Sequence, residues 1–299
     1  MVPVFNEAPN INIFNEALKV AMEGIQYEVL FVDDGSTDET LHILQLISEG
    51  ASNIGYLSLS RNFGQQVAIK AGLDHANGDC LVMMDVDMEH PPELIPEMIK
   101  KWMEGNDIVV TYRKTEGAKS FFRRISSLLF YRFMNFLSDT KVEYRNADFR
   151  LLDHKVVQVL RQFSEQPIFL RALVNWLGFK KATISFDSGH RYAGDSKYSK
   201  LKLFNLFIEG ITSFSIKPLR ISSFLGLLLS LFSILYGIYA IYVHLFTEKA
   251  VPGWTSLLVL IALIGGIQLI MIGVLGEYIG KLFMASKNRP SYLLKDKSK

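Results

Sequence analysis

Two runs of 27 residues contain no Lys, Arg, Asp or Glu: Ile221–Thr247 and Ala250–Gly276. They constrain the fold of this chain more than any other feature. At about 1.5 Å per helical residue, each spans roughly 40 Å, more than the roughly 30 Å hydrocarbon core of a bilayer. Two core helices of a soluble protein would have to be this long and this apolar on every side. The runs therefore predict two transmembrane helices, and the short link Glu248–Gly253 makes them a hairpin whose ends emerge on one side. Lys217 and Arg220 precede the first run, and Lys281, Lys287, Arg289, Lys295, Lys297 and Lys299 follow the second. The link carries only Lys249, beside Glu248. The positive-inside rule then places both termini and the first 220 residues in the cytoplasm. No signal-peptide pattern stands at the N-terminus. Gly265, Gly266, Gly273, Gly276 and Gly280 allow close helix packing, within the hairpin or between copies, so a homo-oligomer stays open.

The net charge of +2 hides a strong asymmetry. Residues 1–112 carry 18 acidic and 5 basic side chains, a balance of −13. Residues 113–220 carry 9 and 20, a balance of +11, and residues 221–299 a balance of +4. Three blocks of different sign indicate different tasks. They divide the chain into a core at 1–115, a basic part of the same domain at 116–218, a membrane hairpin at 219–284 and a basic tail at 285–299. Basic residues clustered beside a membrane anchor suit lipid headgroups rather than nucleic acid. The single cysteine, Cys80, has no intrachain disulfide partner, which suits a reducing compartment.

The acidic block alternates strand and helix signals. Tyr27–Val32, Ile54–Leu59, Cys80–Met84 and Asp107–Val110 are short apolar runs that end in polar residues. Between them Ile11, Phe14, Leu18 and Met22 follow helical spacing, Ser36 with Glu39 forms a capping-box pattern, and Pro92 and Gly105 suit the first position and the C′ position of one helix. The fold class is α/β, with a mainly parallel, Rossmann-like sheet, and in such sheets ligands bind beyond the carboxyl ends of the strands. Polar segments stand at those ends: Asp33-Asp34-Gly-Ser-Thr-Asp38, Ser60-Arg-Asn-Phe-Gly64 and Asp85-Val-Asp87-Met-Glu89. This many carboxylates on one edge call for a cation. Hard oxygen donors favour Mg2+ or Mn2+, with phosphate oxygens of a ligand completing the shell. Asp38 alone reads as a turn residue.

In order along the chain stand Val2-Pro3-Val-Phe-Asn6-Glu7, Val32-Asp-Asp-Gly-Ser-Thr-Asp38, Ser60-Arg61-Asn-Phe-Gly-Gln65, Asp85-Val-Asp87, Asn146-Ala-Asp148-Phe-Arg-Leu-Leu-Asp153 and Arg191-Tyr-Ala-Gly-Asp-Ser196-Lys197. With the hairpin, this series resembles the family-2 glycosyltransferases, which have a GT-A domain, and within them the polyprenyl-phosphate branch. The similarity is greatest to the bactoprenol glucosyltransferases; the dolichol-phosphate mannosyltransferases are more distant. The resemblance covers essentially the whole chain. It implies an inverting transfer of one sugar, glucose from UDP-glucose, to undecaprenyl phosphate at the cytoplasmic face of a bacterial inner membrane. UDP-GlcNAc, GDP-mannose and a UDP-linked modified arabinose are the alternative donors. By the same resemblance Asp33 and Asp34 hold the nucleoside of the donor, with Pro3, Asn6, Glu7, Arg61 and Asp85 on the donor side. Asp85, Asp87 and Glu89 hold the metal, Asp87 and Asp148 are catalytic, and Arg191, Ser196 and Lys197 meet the acceptor phosphate. Two departures stand out. The family usually carries several apolar residues before Val-Pro-x-Tyr-Asn-Glu, whereas here Met1 directly precedes Val-Pro, which shortens the first strand. Glu89 stands where related sequences more often have Gln.

The chemistry agrees with such a site. A nucleotide diphosphate leaving from the sugar C1 gains negative charge, which a carboxylate-held metal stabilises as a Lewis acid. A phosphate monoester, with a second pKa near 6, is already a nucleophile at neutral pH. Asp148 is therefore expected to position the acceptor or assist the metal rather than to abstract a proton. Residues 121–137 and 201–214 mix bulky apolar and basic residues and suit interfacial helices. A processive polysaccharide synthase shares the fold, but its Gln-x-x-Arg-Trp motif is not found near Arg161–Trp176. A non-catalytic, nucleotide-sugar-binding membrane scaffold is the remaining alternative.

Overall fold

The computed structural model describes residues 1–113, 146–163, 170–186, 216–246 and 253–298. Two compact units emerge. One contains the N-terminal block and residues 289–299, and the other contains the apolar hairpin.

In the first unit the alternation expected from the sequence is present: β1 (Val2–Val4), α1 (Ala8–Ala21), β2 (Val29–Asp33), α2 (Thr40–Gly50), β3 (Ile54–Leu59), α3 (Gln65–His75) and β4 (Cys80–Met83). A 3-10 turn at Pro92–Leu94 leads into α4 (Ile95–Met103), followed by β5 (Ile108–Arg113), β6 (Asn146–Asp153), α5 (His154–Arg161), α6 (Leu170–Trp176) and β7 (Lys181–Phe186). Helix α1 forms where the 3–4 spacing places it. Ile11, Phe14, Leu18 and Met22 are all buried, and Phe14 meets Phe31 of β2 edge to face with ring centroids 6.1 Å apart. Gly105 takes a φ of +85° just past α4, as a C′ glycine does. The capping box does not form. Ser36 Oγ accepts from Asn6 N–H, and the helix entry is served instead by Asp38, whose carboxylate accepts from Thr40 N–H at 3.0 Å.

β1, β2 and β3 are parallel, with Pro3 opposite Val32 and Asp33 opposite Ser58. A second sheet has the order β4-β6-β5-β7, with β6 antiparallel to both of its neighbours. Met1 joins the two sheets: its N–H donates to Val82 O at 2.8 Å, and Met84 N–H donates to Met1 O. The short β1 thus lies between β2 and β4, and the carboxyl ends of these three strands share one edge. The opposite edge of the first sheet holds a strand absent from the sequence reading. Leu294–Lys297, in the basic C-terminal stretch, form β8 and pair antiparallel with β3.

The second unit is built on α7 (Lys217–Phe246) and α8 (Trp254–Ser286), 30 and 33 residues long. Each is long and apolar enough to cross a membrane. Large apolar side chains such as Leu227, Ile234, Leu269 and Ile270 are more than half exposed, as lipid-facing positions are. Helix α8 continues ten residues past the second uncharged run, through Glu277 and Lys281.

Candidate active site

The loop after β2 is organised around two carboxylates. Asp33 and Asp34 are buried, at 1% and 3% exposure. Buried carboxylates require partners, and each has them. Asp33 accepts from Ser36 N–H at 3.0 Å and from the Ser58 hydroxyl at 2.9 Å. Asp34 accepts from Phe63 N–H at 2.7 Å and Gly64 N–H at 2.8 Å. Burial pushes the Asp34 pKa above the ordinary carboxylate value, against the lowering effect of those two N–H groups, and neighbouring Asp33 adds to the rise. Gly35 permits this arrangement. Its φ is +69°, and a Cβ there would stand 2.4 Å from the backbone carbon of Arg61. The loops after β2 and β3 are therefore pressed together, backbone against backbone.

The loop after β1 laces onto the same structure. Asn6, at φ +54°, accepts from Thr37 N–H through its side-chain oxygen at 2.8 Å, and Glu7 N–H donates to the Thr40 hydroxyl. Glu7 also accepts from Asn10 at 2.6 Å. Pro3 is half-buried within β1. Arg61 is exposed, with its guanidinium 4.5 Å from the Phe63 ring centre.

Asp85, Asp87 and Glu89 follow β4. Asp85 accepts from Gln65 Nε2 at 3.0 Å, and Asp87 accepts from Glu89 N–H at 3.1 Å. Met88 takes a φ of +63°, an unusual conformation for a residue with a long side chain and one often found at functional sites. The loop is anchored by His90, which is 1% exposed. Its Nδ1 accepts from Asp85 N–H at 3.1 Å, and its ring stacks on Phe149 at 5.3 Å. Asp148 lies near the start of β6. The β4–β6 register places Met83 opposite Arg150, and two more residues along that line bring Asp148 level with Asp85. The Arg150 guanidinium is 2% exposed and donates to Asp148 Oδ1 at 3.0 Å.

Asp33, Asp34, Asp85, Asp87 and Asp148 therefore come from the ends of three strands to one sheet edge. Among the described residues there is no group of three or more His, Cys, Asp or Glu side chains arranged to hold a metal by themselves. The donor set nevertheless fits Mg2+ or Mn2+, which protein sites commonly bind through one or two carboxylates and the phosphates of a substrate. Arg191, Ser196 and Lys197, and the stretches 121–137 and 201–214, lie outside the described residues. A cavity of about 570 Å3 is lined by Met1, Val29, Cys80 and Trp102 among others. It opens at the amino ends of β2 and β4, away from these carboxylates.

Ser58, Gln65 and Arg150 are the residues that sequence reasoning missed as partners of the site, because their roles depend on register. His90 stands out in the sequence by its adjacency to the acidic motif, where it suggests a phosphate contact, and the structure gives it the bond from Asp85 N–H and the stack on Phe149.

The N-terminal block and the hairpin each match a known family. Residues 1–161 match glycosyl transferase family 2, and residues 217–282 match the GtrB C-terminal hairpin. The chain belongs to glycosyl transferase family 2 and carries that family's GT-A fold. At the next level, it is 40% identical over 297 residues to the prophage bactoprenol glucosyl transferase homolog of Escherichia coli K12, covering 99% of this chain and 97% of that protein. It is 40% identical over 298 residues to the bactoprenol glucosyl transferase of Shigella phage SfV, covering 99% and 97%. Among solved structures, it resembles glucosyl-3-phosphoglycerate synthase from Mycobacterium tuberculosis in complex with Mn2+, UDP-glucose and phosphoglyceric acid, at a TM-score of 0.46 and 17% identity, covering 71% of this chain and 76% of that one. Staphylococcus aureus TarS 1-349 with UDP-GlcNAc is similar at a TM-score of 0.47 and 18% identity, covering 71% and 64%.

Proposed function

We propose that this glycosyltransferase moves one sugar, glucose from UDP-glucose, onto undecaprenyl phosphate with inversion at C1, on the cytoplasmic side of a bacterial inner membrane. The observation that carries this reading is the meeting of Asp33, Asp34, Asp85, Asp87 and Asp148 at one sheet edge, in a chain with a membrane hairpin and near-full-length bactoprenol glucosyl transferase relatives.

In this reading Asp33 and Asp34 receive the nucleoside of the donor. Both are prefixed by the bonds from Ser58 and from Phe63 and Gly64, so binding requires little reorganisation. Pro3, Asn6, Glu7 and Arg61 flank the donor. Asp85 and Asp87, with Glu89 beside them, would hold Mg2+ or Mn2+, which supplies Lewis-acid stabilisation of the departing diphosphate. Asp148, held by buried Arg150, orients the acceptor phosphate. Arg191, Ser196 and Lys197 bind that phosphate. The phosphate is already largely ionised at neutral pH, so its oxygen attacks C1 without a strong base. The positive flanks of the hairpin support cytoplasmic termini.

The test uses protein purified in mild detergent with radiolabelled UDP-glucose, Mg2+ and undecaprenyl phosphate. Label is expected in the organic extract only when lipid is present, and not with Asp87→Asn. Label from UDP-GlcNAc or GDP-mannose but not UDP-glucose would replace the donor assignment. No transfer from any donor, with donor binding retained, would leave a scaffold.

A further inference from the structure

The two buried carboxylates of the site are held from β3 and the loop that follows it, through Ser58, Phe63 and Gly64. One side of β3 is bonded to β2, and the other, among the described residues, is bonded by the segment that follows the hairpin. β8 pairs at Leu57 with Lys297, Ser58 with Asp296 and Leu59 with Leu294, so the register shifts between Ser58 and Leu59, beside the serine that holds Asp33. Such irregularities bend a strand locally and re-aim its side chains. Ser60 N–H extends the pairing by donating to Leu293 O at 2.8 Å.

Side chains reinforce the grip. Asp296 accepts from the Tyr56 hydroxyl at 2.8 Å and from Gln45 Nε2 at 3.1 Å, and Tyr56 N–H donates to the Ser298 hydroxyl at 2.8 Å. The Tyr56 bond is the largest influence holding the Asp296 carboxyl below its ordinary pKa. The Tyr292 hydroxyl donates to Asp74 on α3 at 3.2 Å. Helix α3 follows the 60–64 loop directly and carries Gln65, the partner of Asp85. The C-terminal segment thus holds both elements that flank the loop beneath Asp34.

We propose that the strand Leu294–Lys297 is a positioning element of the donor site: by holding the end of β3 and, through Tyr292, helix α3, it keeps Asp33 and Asp34 in their donor-binding geometry. Asp296 and Tyr292 are its positioning residues. The inference rests on the reading that these two carboxylates bind the donor nucleoside. A strand that only covered an exposed sheet edge would affect stability and leave donor affinity unchanged.

The test compares the full-length protein in detergent with Asp296→Ala/Ser298→Ala, Tyr292→Phe, Asp296→Asn and a chain ending at Arg289. UDP affinity is measured by calorimetry, and amide exchange is followed in the peptide spanning Tyr56–Ser60. The double variant is expected to weaken UDP binding by on the order of tenfold, as loss of one to two hydrogen bonds does. It should raise the donor KM far more than it lowers kcat. Asp296→Asn keeps an acceptor for Tyr56 and should restore most of the affinity. The chain ending at Arg289 should bind UDP most weakly. A folded variant with faster exchange at Tyr56–Ser60 and unchanged UDP affinity overturns the proposal. If point variants leave both quantities unchanged, unaltered affinity in the shortened chain overturns it as well. A wild-type protein that binds neither UDP nor GDP fails earlier, and sinks the donor-site reading itself.

Discussion

At the scale of single residues, the loop after β2 is a case of backbone against backbone. Gly35→Ala would place a methyl group into the Arg61–Asn62 backbone at a positive φ. It should destabilise the domain by about 1–3 kcal/mol, visible as a lower Tm, and weaken UDP-glucose binding. Asp34 sets a pH dependence. Its folded-state pKa is raised, so the folded chain keeps this proton to higher pH than the unfolded chain does. Folding is therefore favoured on the acid side of that window, and this contribution is lost as pH rises through the raised value. Donor affinity should move the other way, weakening on acidification at a higher pH than for an ordinary aspartate. A titration of UDP-glucose binding checks this, with Asp34→Asn expected to be flat. Arg150→Met leaves Asp148 without its buried partner and should cost about 3–5 kcal/mol of stability, together with turnover. Asp33, Asp34, Asp85 and Asp87 were legible in the sequence because they follow apolar strand runs, whereas Asp148, near the start of β6, was legible through the family resemblance alone. Ser58 and Arg150 were not, because a serine or arginine inside a strand acquires its role from what the register places opposite it.

Elements differ in how openly the sequence announces them. The helices of the hairpin were plain, since 27 residues without a charge leave few alternatives, and β3 was readable as a short, mostly apolar run that ends in polar residues. β8 was hidden: Leu-Lys-Asp-Lys has a single apolar residue and reads as a charged tail. Its pairing is decided by β3, which presents a row of unpaired backbone groups and Tyr56 to any strand able to reach it. The capping box failed for a related reason, as Ser36 found a long-range partner in the β1 loop. For the hairpin, Leu231→Arg near the middle of α7 should disfavour insertion of that span by about 2.5–3.5 kcal/mol, measured as the inserted fraction in a glycosylation-mapping assay.

For the molecule as a whole, the basic flanks of the hairpin support the proposed orientation, with both termini in the cytoplasm, and that orientation can be read in cells. A cysteine at Glu248→Cys should react with an impermeant maleimide added outside intact cells, and one at Lys287→Cys only after permeabilisation. The native Cys80 should add little background, because burial pushes its thiol up to about 11 and leaves little thiolate. The position of β8 also imposes a schedule on biogenesis. A ribosome adds about 5–20 residues per second, and N-terminal elements assemble first. β1 to β7 can therefore be paired while the two spans are still being made, yet the outer edge of β3 stays bare until residues beyond the second span emerge. The finishing strand of the first sheet is synthesised only after the hairpin, so a chain whose translation stops within the hairpin leaves the strand that buttresses Asp33 and Asp34 unfinished.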